Sequence, residues 1–72
     1  MAVTTETMVR ALLAEEPNLA ADEIAVGVVK DRVVLRGKVR TQRERAAAEA
    51  AVRRIRGVRA VENHLVVTGE PI

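Results

Sequence analysis

Apolar residues fall along this chain in blocks whose period changes twice. Met8, Val9, Leu12 and Leu13 recur at helical spacing, which predicts a first helix of about three turns. Thr4 or Thr5 is placed to cap it. Glu15-Glu16-Pro17-Asn18 ends it, because Pro17 disfavours helical geometry at Glu16. Leu19, Ala20 and Ala21 suit a turn that plugs the end of a core. From Ile24 the period becomes two. Ile24, Val26 and Val28 share one face of a strand, with Ala25, Gly27 and Val29 on the other. After a polar break at Lys30-Asp31-Arg32, Val33, Leu35, Gly37 and Val39 alternate with Val34, Arg36 and Lys38, and two strands this close in sequence form a hairpin.

The helical period then returns. Thr41 and Glu44 have capping-box spacing, and Ala48, Ala51, Val52 and Ile55 form one stripe of a helix expected to run to Ile55 or Arg56. Glu49 stands four residues from both Arg45 and Arg53, spacing at which it offsets part of their repulsion. Gly57 follows as an expected left-handed cap. Val61, Asn63, Leu65 and Val67 alternate with Glu62, His64 and Val66 in a last strand. The order is αββαβ. The economical solution is an α+β fold with two helices packed on one face of a three-stranded mixed sheet. A helix that crosses back makes the third strand parallel to the second; whether the two are neighbours does not follow from the pattern.

Composition narrows what such a fold can do. The 72 residues contain no aromatic residue, no cysteine and no serine. The core is therefore aliphatic and thin, and enzyme pockets of about 300 Å³ or more are hard to enclose in it. Thiol chemistry and disulfides are excluded. His64 is the single histidine, with Glu62 as its one same-face neighbour on the strand, so a structural or exposed role outweighs a catalytic or metal-binding one. Asn63 suits a bond to neighbouring backbone. No glycine belongs to a phosphate-binding loop. The chain carries no expected cofactor, no metal site and no small-molecule substrate. Its start lacks the basic and apolar regions of a secretory signal, which points to the cytoplasm if the chain is complete, and to the periplasm or envelope if it is a mature or excised piece.

Charge is unevenly spread. Residues 1–31 hold two basic against six acidic residues, residues 32–59 hold ten basic against two acidic, and residues 60–72 hold two acidic residues alone. A net charge of +2 thus conceals a basic middle, a hint of an anionic partner.

The ordered set Ile24-x-Val26-x-Val28, Val33-x-Leu35-x-Gly37-x-Val39, Glu44 with the alanine-rich helix, Ile55-x-Gly57-Val58 and Val61-x-Asn63-x-Leu65-x-Val67 resembles the BON domain, a bacterial module named after osmotic-shock and nodulation proteins. The resemblance spans residues 5–68 and implies a single domain with frayed tails at 1–4 and 69–72. It also implies association with phospholipid membranes or with partner proteins, and no shared catalytic residue. One departure stands out. The family's first hairpin usually carries Asn-Gly or Asp-Gly, and here the pair is Asp31-Arg32. Arginine resists positive φ, which calls for a longer turn or an Arg32 displayed for contact.

Two surfaces are candidates for binding. Lys38, Arg40, Arg43 and Arg45 gather at the start of the second helix, and Arg53, Arg54, Arg56 and Arg59 at its end. A solvated helical face with arginines suited to the helix dipole is the plain reading; an anion-facing surface for lipid headgroups is the functional one. Nucleic acid is disfavoured, since no aromatic side chain is present to stack bases. The open sheet face, with Val29, Val34, Arg36, His64 and Val66, is the rival, fit for a partner protein or a second copy of the chain. The expected function is a non-enzymatic module that binds anionic phospholipid surfaces or docks to an envelope or partner protein. The alternative is oligomerisation or ion sensing.

Overall fold

The computed structural model describes residues 4–17, 19 and 23–69. Its elements are α1 (Thr5–Ala14), β1 (Ile24–Val29), β2 (Arg32–Val39), α2 (Gln42–Arg53) and β3 (Ala60–Val67). The sheet order is β1-β2-β3, with β1 antiparallel and β3 parallel to β2. The mixed sheet and the parallel third strand agree with the pattern of apolar positions, and the neighbour relation the pattern left open is settled: β3 lies beside β2. Of the expected tails and the turn after α1, residues 1–3, 70–72, Ala20 and Ala21 lie outside the described residues.

Both helices start on threonine caps. Thr4 accepts from the Thr7 N–H at 3.1 Å, and Thr41 from the Glu44 N–H at 3.0 Å. The return bond of the second cap goes one residue further out than the usual box, from the Arg40 N–H to Glu44 Oε1 at 2.8 Å. Val9 and Leu13 of α1 and Ala48 and Val52 of α2 are buried against Ile24, Val26, Val33, Leu35, Val39 and Leu65, and Ala51 is buried as well. Each fully buried valine or leucine contributes about 1.5–3 kcal/mol. The alanines keep α2 close to the sheet. Met8, expected in the first helix's stripe, is exposed, because Val9 and Leu13 define the line of contact and Met8 sits about 100° away from Val9.

Two local features differ from expectation. The first is α2, which ends at Arg53, with Arg54 as its cap. The chain then turns so that the Val58 N–H donates to the Ile55 carbonyl at 3.2 Å. Gly57 has φ +97°, and it occupies the third position of that turn, where a type II geometry requires positive φ, rather than the helix cap. The second is the hairpin, which turns on Lys30-Asp31, since Val29 pairs with Arg32. The positive φ of 55° falls on Lys30, and Arg32 is already in β2. Gly37 lies within β2 as expected, with φ +138°. A Cβ there would collide with the Glu23 carbonyl oxygen, so this glycine is where the chain entering β1 crosses against β2.

Candidate functional site

Because β2 and β3 are parallel, they begin at the same end of the sheet. The Asp31 carbonyl accepts from the Arg59 N–H at 2.8 Å and the Ala60 N–H at 3.4 Å. Two bonds therefore stitch the β1–β2 turn to the segment joining α2 to β3. This juxtaposition gathers Lys30, Arg32, Arg54, Arg56 and Arg59 at one end of the molecule. Arg32 pairs with Glu62 at 2.8 Å, and Arg59 is 3.8 Å from Asp31. Lys30, Arg54 and Arg56 have no carboxylate within ion-pair distance among the described residues. The negative end of the α2 dipole favours cations here.

The opposite end of α2 is different in kind. Arg40 is tied to Glu44 at 3.3 Å. An open groove of about 550 Å³ lies beside it, between the end of α1 and the start of α2, and includes Glu16, Leu19, Arg40, Thr41, Arg43 and Glu44. Among the described residues, its two carboxylates balance its two guanidinium groups. It contains no histidine, and its one hydroxyl, that of Thr41, accepts the Glu44 N–H. The two arginine groups are separated by the twelve-residue α2, about 18 Å of helix, which exceeds the roughly 8 Å Debye length at physiological salt. They are two poles, one strongly basic and one nearly balanced.

Arg45 belongs to neither pole. Its Nε donates to the Leu65 carbonyl at 3.1 Å and its Nη2 to the Asn63 carbonyl at 3.2 Å. Asn63 Nδ2 donates to the Arg45 carbonyl at 3.1 Å and to Glu49 Oε1 at 3.2 Å, while Asn63 Oδ1 accepts from the Leu65 N–H at 3.1 Å. The bond from Arg53, then that from Asn63, holds the Glu49 carboxyl below its ordinary pKa. These four side chains cover the middle of the outer edge of β3, at Asn63 and Leu65. The expected bond of Asn63 to neighbouring backbone is met, and Arg45 serves the fold in place of facing solvent.

On the open sheet face the register sets Ala25, Arg36 and His64 in one row and Gly27, Val34 and Glu62 in the next. His64 Nε2 lies 3.1 Å from Glu62 Oε1. That bond, and then the nearby Arg32 charge, lowers the Glu62 pKa. Val29 and Val66 are exposed, Val34 is half-buried, and Arg36 and Lys38 extend into solvent. The apolar residues are interrupted by charge, so this face is mixed rather than a continuous apolar patch. Among the described residues, no group of three or more acidic or histidine side chains could hold a metal.

Lys30 and Arg32 were absent from the arginine clusters legible in sequence. The signal was available in topology: a helix that crosses back to a parallel strand must deliver its exit beside the preceding hairpin turn.

The BON domain family model matches residues 2–69. No curated protein matches the chain. Among solved structures, the chain is similar to the C-terminal domain of CdsD, described as the structural protein of the Type III secretion system of Chlamydia trachomatis. The TM-score is 0.63 at 20% identity, over 94% of this chain. This chain spans 35% of that one, and at such identity the likeness is one of fold.

Proposed function

This chain belongs to the BON domain family, and we propose that it is a non-catalytic docking module that sets its basic end against anionic phospholipid. One observation carries the reading: the Asp31–Arg59 backbone bond brings Lys30 and Arg32 to the same end as Arg54, Arg56 and Arg59. Each basic residue near an anionic bilayer contributes about 1 kcal/mol. Asp31 and Glu62 offset two of the five cations, which leaves about 3 kcal/mol, a weak and salt-sensitive attachment. Membership of the BON family and likeness to a domain of a secretion-system structural protein fit binding rather than catalysis.

Co-sedimentation with vesicles tests this reading. The protein should pellet at low salt with mixed phosphatidylglycerol–phosphatidylcholine vesicles, remain in solution with pure phosphatidylcholine, and release as salt rises. Arg54→Glu with Arg56→Glu should abolish binding, while Arg43→Glu at the balanced pole should leave it. Equal pelleting with both vesicle types overturns the reading.

A further inference from the structure

The hydrogen-bond parity of the sheet shows which backbone groups point out of it. Val29 and Arg32 flank a two-residue turn and form the closing bonded pair, so Gly27 and Ala25 also bond to β2. The N–H and C=O groups of Ile24, Val26 and Val28 therefore point away from β2, along the free edge of β1. Among the described residues, no bond reaches them. The strand has no proline, no charged residue and no bulge between Ile24 and Val29, so the usual devices that blunt an edge are missing.

We propose that this edge is an association surface for the β1 edge of a second copy, paired antiparallel about a two-fold axis through Val26. Two features select a second copy over an unrelated strand. The first is charge. β1 is bounded by Glu23 at its start and Lys30 at its end, neither in an ion pair with a described residue, and antiparallel apposition brings Glu23 of each copy towards Lys30 of the other. The second is register. Pairing Val26 with Val26, and Ile24 with Val28, uses all three outward-pointing residues and keeps core face against core face. A shift of two residues towards the turn would recruit Lys30, whose φ of 55° does not fit a strand, and a shift the other way pairs only Ile24 with Val26 among the described residues. In this register Ala25 lies opposite Gly27 on the solvent face, and neither side chain obstructs the approach. The product is a continuous six-stranded sheet with a basic end at each side. The proposal is independent of the lipid reading and is tested without lipid.

Sedimentation equilibrium up to millimolar concentration should show the mass rising from one 7.8 kDa chain towards two. Ala25→Lys with Gly27→Lys sets lysine opposite lysine twice and should weaken association about tenfold or more. Ala25→Glu with Gly27→Lys sets opposite charges in the same places and should restore it. Both sites are exposed, and a Cβ at Gly27 meets only Val34 at 4.0 Å, so circular dichroism should stay near wild type for both variants, while the pairing of Ala25 with Arg36 should make the lysine variant melt slightly lower and the charge-opposed variant slightly higher. A wild type that keeps one chain's mass throughout overturns the proposal. So does a lysine variant that associates as wild type does, or a charge-opposed variant that stays as weak as the lysine variant.

Discussion

The two edges of this sheet are treated in opposite ways. At β3, the Arg45 guanidinium and the Asn63 amide, drawn from α2 and from the strand itself, occupy the carbonyls of Asn63 and Leu65 and the Leu65 N–H. At β1, the corresponding groups of Ile24, Val26 and Val28 face outwards with no described side chain over them. The two helices differ in the same way. α2 spends Arg45 on the neighbouring strand, whereas the one ion pair of α1 among the described residues, Arg10 with Glu6 at 3.3 Å, stays on the helix. An edge is closed when a long polar side chain lies on a helix that already packs against it. The difference locates where the molecule has no need of a partner and where it has room for one.

The largest expected effect falls where β1 enters the sheet. Gly37→Ala combines a positive φ with a collision against the Glu23 carbonyl, and should destabilise by about 2–4 kcal/mol. In a chain of this size that is a large share of the total. Urea unfolding measures it. A loss below about 1 kcal/mol would show that the start of β1 yields more easily than β2.

Next is the closed edge. Arg45→Ala strands two carbonyls and frees the Asn63 network, at an expected cost of about 2 kcal/mol. Arg45→Met keeps the stem and separates packing from hydrogen bonding. If β3 is kept apart from other chains by this plug, Arg45→Ala should also raise light scattering on heating, while Arg43→Ala, on the exposed side of the helix, changes neither quantity.

A smaller effect of opposite sign is expected at the turn that ends the open strand. Lys30 adopts a φ of 55° with a Cβ present. Lys30→Gly removes that strain and should stabilise by up to about 1 kcal/mol, visible as a higher melting temperature. Lys30→Val should cost a similar amount.

Much of this fold was legible because alternation and spacing act locally. The faces of all three strands and the buried stripe of α2 follow from the periods alone, and Thr41 and Glu44 announced the second helix. What was not legible depended on the third dimension. Arg45 reads as one more cation four residues from Glu49; only the lateral packing of α2 on β3 turns its fork towards two carbonyls. Lys30 and Arg32 read as a polar break; only the parallel return of β3 places them beside Arg54 and Arg56. The hairpin residue expected to resist positive φ was Arg32, yet the pairing of Val29 with Arg32 moves the turn one residue earlier, onto Lys30.

The smallest effect concerns pH and belongs to the closed edge. Glu49 accepts from Arg53 at 3.0 Å and from Asn63 at 3.2 Å, and these bonds lower its pKa, Arg53 first. A carboxyl held below its unfolded value contributes stability that is fully present above that value, about 4.3 for glutamate, and that is lost as pH falls through the folded value. Stability should therefore decline below the ordinary glutamate range, with Asn63 losing its charged acceptor while Arg45 keeps its carbonyls. Glu49→Gln removes the titrating group. The variant should be slightly weaker than wild type at pH 7 and should converge on it at low pH. Unfolding curves at the two extremes decide the matter. A gap of the same size at both would mean that Glu49 contributes through shape and not through charge, leaving Arg45 and Asn63 alone as the seal on β3.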